Sequence, residues 1–100
     1  MILVYTTFPN MEEAKKVCKI LLDKKLVGCV NLREHLAMYW WEGKIEEDKE
    51  VGTIIKTTEE LKEKVIEEIK KNHPYSVPLI MVMKAEVNEE YLDWLKKVTK

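Results

Sequence analysis

The chain has 100 residues and a formal net charge of −1, with a pI near 6.1, a balance that excludes the strongly basic surface needed to wrap nucleic acid or hold an anionic membrane. Lysine and glutamate dominate a charged fraction of 35%, glutamine is absent and serine occurs once, a composition that favours the ion-pair-rich surface of a heat-stable protein. This length builds one core, here read as a single domain over residues 1–100, and is short enough that oligomerisation adds materially to stability.

Ile2 to Phe8 is rich in β-branched and aromatic residues and stops at Pro9, which predicts a buried strand. The same stretch lacks a basic start and a small-residue cleavage site and is too short to span a bilayer, so a cytoplasmic protein is expected. Asn10 offers a side-chain cap with Glu13 three residues on. Met11, Ala14, Val17, Cys18, Leu21 and Leu22 then recur at helical spacing, predicting a first helix to about Lys25.

From Gly28 to Glu42, Val30, Leu32, Leu36, Met38 and Trp40 alternate with Asn31, Arg33, His35 and Tyr39, the period of a strand with two unlike faces. Glu34 interrupts the apolar face, and a bulge is expected there. Gly43 turns the chain into a return strand from Lys44 to Thr57, charged through Glu46, Glu47, Asp48, Lys49 and Glu50. A strand of about fourteen steps at roughly 3.3 Å each reaches roughly 46 Å, whereas a compact body of this length is about 34 Å across. The hairpin should overhang its own domain. Trp40 and Trp41 at its tip would form an apolar patch that monomers rarely keep, so a partner surface is expected to cover them.

Thr57 or Thr58 caps a second helix with Leu61, Val65 and Ile69 on one face, ending before His73-Pro74-Tyr75. A fourth strand follows from Pro78 to Ala85, and Asn88 with Glu89 and Glu90 opens a short helix carrying Tyr91, Leu92, Trp94, Leu95 and Val98. This order predicts an α+β, ferredoxin-like βαββαβ sandwich with a long protruding β-hairpin and an extra C-terminal helix, both main helices lying on one face of an antiparallel sheet.

Chemistry-bearing motifs are sparse. Cys18 and Cys29 are too few for a disulfide framework or a paired-cysteine zinc site and read as buried hydrophobes. His35 and His73 stand at no metal-motif spacing. Pro74 pushes His73 into an extended conformation at a helix end, where its ring either reaches a cleft or serves the helix dipole. Arg33 is the one arginine among sixteen lysines, suited to bidentate pairing with a carboxylate across a subunit boundary or else a plain surface charge. No nucleophile elbow or phosphate-cradling loop is present, so no enzymatic activity is expected. Acylphosphatases share the element order but carry an arginine after the first strand, where this chain has Thr6-Thr7-Phe8-Pro9-Asn10. RNA-recognition modules share it too, yet Glu50 to Ile55 lacks their stacking aromatics.

Tyr39-Trp40-Trp41-Glu42-Gly43-Lys44, with Glu50, Lys56-Thr57 and His73-Pro74-Tyr75-Ser76-Val77-Pro78, resembles the CutA family of divalent-cation tolerance proteins over essentially the whole chain. Thr6, Pro9, Gly28-Cys29-Val30-Asn31 and Tyr91-Leu92-Asp93-Trp94-Leu95 fall where that family has comparable residues. The resemblance implies a ferredoxin-like homotrimer, similar to PII signalling proteins, whose hairpins wrap neighbouring subunits. It implies a part in the response to metal ions, with weak binding of copper or another divalent cation. Trp40 and Trp41 become trimer contacts, and Asn31, Arg33, Tyr39, Trp41, Glu50, Lys56 and Tyr75 line an intersubunit cleft. Of the family's candidate copper ligands only His73 is present, with Thr6 in place of a cysteine and Leu79 in place of a glutamate. The alternative is a PII-like signalling or scaffold protein that binds a small anion or a protein partner in the cleft.

Overall fold

The computed structural model describes residues 1–100. It places β1 at Ile2–Phe8, α1 at Met11–Asp23, β2 at Cys29–Trp41, β3 at Lys44–Thr57, α2 at Lys62–Asn72, β4 at Met81–Lys84 and α3 at Glu89–Val98. The strands form one antiparallel sheet in the order β2-β3-β1-β4, the ferredoxin-like arrangement that the element order predicts.

Alternate residues of a strand face opposite ways, and Ile2, Val4, Thr6 and Phe8 of β1 turn inward and are fully buried. Ile2 and Val4 pack with Ile55, with Leu21 of α1, and with Val65 and Ile69 of α2. Phe8 packs with Ala14, Val17 and Val51. Both long helices therefore cover the same sheet face. Burying each large aliphatic side chain contributes about 1.5–3 kcal/mol, which holds the register against a one-residue slip that would turn the whole set to water.

Asn10 caps α1 as expected, its Oδ1 accepting the Glu13 N–H at 2.9 Å. The helix ends at Asp23, two residues short of the expected Lys25. Lys25 is left-handed at φ 58°, and the Leu26 and Lys25 N–H groups donate to the Leu21 and Leu22 carbonyls, a Schellman closure that satisfies the last carbonyls. At the start of α2 neither threonine caps through its side chain. A 3₁₀ turn at Glu59–Leu61 intervenes, and the Thr57 hydroxyl donates instead to the Leu26 carbonyl at 2.6 Å.

Two further expectations are corrected. The β2–β3 ladder runs unbroken from Cys29 opposite Lys56 to Trp41 opposite Lys44, with Glu34 opposite Val51 and no bulge. Val30 and Leu32 pack on the core, whereas Glu34, on the same face of the edge strand β2, is exposed to water, so its carboxylate disturbs nothing. The fourth strand is Met81–Lys84, shorter than the expected Pro78 to Ala85, because it pairs only with Ile2 to Tyr5. Pro78 has no N–H to give a ladder, and Ile80 packs against the core instead.

Beyond the helices β2 and β3 continue alone as an arm, and the molecule measures 46 Å along its long axis against 24 and 20 Å across. The tip is a two-residue turn in which Glu42 (φ 48°) and Gly43 (φ 78°) are both left-handed, the type I′ geometry whose twist matches its flanking strands. At the opposite end α3 docks on Gly28, where an added Cβ would lie 2.5 Å from Leu95 Cδ1.

Candidate functional site

The unbroken register decides which side chains share a face. Directly opposed residues project to the same side, so Asn31, Arg33, Tyr39 and Trp41 of β2 share one face with Glu50 and Lys56 of β3. This is the face without the two long helices. Six of the seven residues expected to line a cleft are thus brought onto one surface, and Tyr75 joins them from the loop after α2. They do not form a single cluster, however. Lys56 pairs with Cys29 near the body end of the sheet, six residues and roughly 20 Å along the strand from Glu50.

The arm end of this face forms an open groove of about 1190 Å³ against the loop after α2, lined by Tyr39, Trp41, Glu46, Asp48, Glu50 and Tyr75 among others. Asn31, Arg33 and Lys56 lie outside it. The Tyr39 hydroxyl donates to Asp48 Oδ2 at 2.6 Å. That bond, followed by burial and the charges of Asp48 and Glu46, pushes the phenol up to about 12. Burial, then the Glu50 and Asp48 carboxylates, raises Tyr75 as well. Both phenols stay protonated donors beside an acidic strand face.

His35 Nε2 lies 2.8 Å from Glu50 Oε1, a pair the sequence reading missed. Gly52 makes room beside it, since a Cβ there would lie 2.5 Å from Tyr5 Oη and 3.0 Å from His35 Cε1. The signal was present: a two-residue turn at 42–43 sets Trp41 opposite Lys44, and counting back from it places His35 opposite Glu50. Arg33 makes no ion pair within the chain.

His73 is extended at the end of α2 (φ −70°, ψ 136°), as its Pro74 neighbour requires. Its Nδ1 accepts the Tyr75 N–H at 3.1 Å. Its Nε2 lies 2.8 Å from the Thr7 carbonyl oxygen and 3.2 Å from Thr6 Oγ1, and the ring stacks on Phe8 with centroids 4.4 Å apart. Burial lowers its pKa, partly offset by the Thr7 carbonyl and Glu13. No three His, Cys, Asp or Glu side chains gather where they could hold a metal ion. Within one chain, then, the residues do not fit a copper ion, which needs several converging nitrogen or sulfur donors.

The cysteines diverge. Cys18 is buried as expected, and burial pushes its thiol up to about 11. Cys29 is not a core residue: it is part-exposed on the open sheet face, with Lys56 Nζ 3.7 Å from its Sγ.

The family model described as CutA1 divalent ion tolerance protein matches residues 2–98. A divalent-cation tolerance protein CutA from Pyrococcus horikoshii is 60% identical over 101 residues, covering 100% of this chain and 99% of that protein. The solved structure of Pyrococcus horikoshii CutA in 3 M guanidine hydrochloride superposes with a TM-score of 0.98 at 60% identity, over 100% of both chains. The PII-like protein CutA from Nostoc, in apo form, superposes at 0.92 with 27% identity, over 100% of this chain and 98% of that one. Sequence and fold agree along essentially the whole length, and the chain belongs to the CutA1 divalent ion tolerance family.

Proposed function

We propose that this protein works without catalysing a reaction, as a cytoplasmic homotrimer taking part in tolerance to divalent cations. The observation that carries the reading is the arm tip. Trp40 and Trp41 are 73% and 61% exposed and, as strand neighbours, point to opposite faces. Leu36, Met38 and Ile45 are exposed along the arm as well. A tip with an exposed indole on each face is covered on both only when it lies between two surfaces, which a ring of subunits supplies and a lone chain does not. Ile54, Met81 and Met83 extend the exposed apolar area over the open sheet face.

Copper or another divalent cation is bound weakly in this reading, because each chain offers no converging set of donors. Native mass spectrometry of metal-free protein, titrated with copper and zinc, tests both parts. Three chains per particle with readily lost metal is the expected result. A monomer overturns the assembly, and tight whole-number metal uptake overturns weak binding.

Arg33 and Lys56 favour a second reading, since they place two cations on the open face. A PII-like scaffold would use them to hold a small anion or an acidic partner. Thermal shift separates the readings, because only ligands that bind the native state raise the melting temperature: nucleotides and carboxylates in the second, divalent metals in the first.

A further inference from the structure

The hydrogen bonds of His73 fix its tautomer. An N–H points at Nδ1 from Tyr75, so Nδ1 carries a lone pair and no proton. Nε2 then holds the ring proton and donates it to the Thr7 carbonyl, with the Thr6 hydroxyl as a second neighbour. A cation at Nδ1 would have to displace the Tyr75 N–H. A cation at Nε2 would require that proton to leave, and would have to fit where the Thr7 carbonyl and the fully buried Thr6 side chain already stand.

We propose that His73 is a neutral clamp that positions the groove loop, and is not a cation ligand in this protein. It ties the end of β1 to the loop after α2 and sets Tyr75, whose ring lies 5.1 Å from its own, at the mouth of the groove. The family's candidate metal histidine thus has a positioning role here, and any cation the protein handles is held by other groups. The inference concerns the same cleft as the reading above, but every bond it uses lies within one chain, so it stands or falls independently of the trimer.

The test is nitrogen-15 NMR of the His73 ring in the full-length protein, with the particle mass recorded on the same sample. The clamp predicts a single Nε2–H tautomer whose ring signals stay in place on addition of one equivalent of zinc per chain. It also predicts that His73→Ala speeds amide exchange at Tyr75 about tenfold through loss of one hydrogen bond, with zinc uptake per chain unchanged. His73→Gln, which can keep a donor to the Thr7 carbonyl but not the acceptor for Tyr75, should leave Tyr75 exchange fast. Zinc-induced shifts at the ring nitrogens, a mixed or Nδ1–H tautomer, or zinc uptake that vanishes in His73→Ala while Tyr75 stays protected would each overturn it. If the alanine variant does not fold, the wild-type ring spectra with and without zinc decide the matter alone.

Discussion

Gly52 and Tyr5 sit so close across β1 and β3 that a Cβ on residue 52 would lie 2.5 Å from the Tyr5 hydroxyl oxygen and 3.1 Å from its Cζ. The glycine supplies space here, since it is not among the residues with positive φ. Gly52→Ala should cost about 1–3 kcal/mol by overpacking and push His35 from Glu50. Tyr5→Phe in the same chain removes the nearer contact, so the double variant should recover part of the loss. Guanidinium midpoints for the two single variants and the double variant give the coupling.

Changing Trp40 and Trp41 together to alanine should lower the particle mass in solution while leaving the protomer's circular dichroism close to wild type. Both indoles are mostly exposed in the protomer, so in the proposed trimer their loss falls on contacts between chains. An unchanged mass at micromolar concentration would count against the arm as the assembly element.

How far the sequence was legible follows from the range of the interactions involved. The elements β1 and α1 and the hairpin were readable because their signals are local: a period, an Asn10 cap, a Gly43 turn. Glu34 misled because a strand's own pattern does not reveal that it is an edge strand, where Glu34 stays exposed even though its partner Val51 is covered by α1. The fourth strand was overextended because the apolar run from Pro78 to Ala85 continues beyond the residues that find a partner in β1, which are only Met81 to Lys84. His73 could be flagged but not interpreted, since its partners lie 66 and 67 residues away in β1.

Acid should weaken the fold through His73. Its folded pKa lies below the ordinary histidine value of 6.5, chiefly through burial, so near neutrality the unfolded chain binds more protons at this site than the folded one. The His73 contribution is therefore fully present above pH 6.5 and is lost as pH falls through the lowered value. Thermal melts at fixed protein concentration should show a drop below that point that is reduced in His73→Gln.

Cys18 should resist alkylation in the native state. Burial pushes its thiol up to about 11, which leaves very little nucleophilic thiolate at neutral pH. Iodoacetamide followed by mass spectrometry should label Cys18 only after denaturation, and labelling at the rate of a free thiol in native protein would contradict the core placement.

The arm has a kinetic consequence. Its ladder joins neighbouring segments through a tight turn, and hairpins of this kind close in roughly 1–10 μs. The pairing of β1 with β4 instead joins Ile2 to Lys84 across most of the chain and must wait for that long loop to close. The arm is thus free to form first, yet in the proposed trimer its exposed tryptophans are the last to be covered, because their cover arrives only with another molecule. Refolding should then show a late phase that quickens with protein concentration, and dilute or crowded unfolding intermediates should aggregate through the same tryptophan-bearing tip that the finished particle conceals.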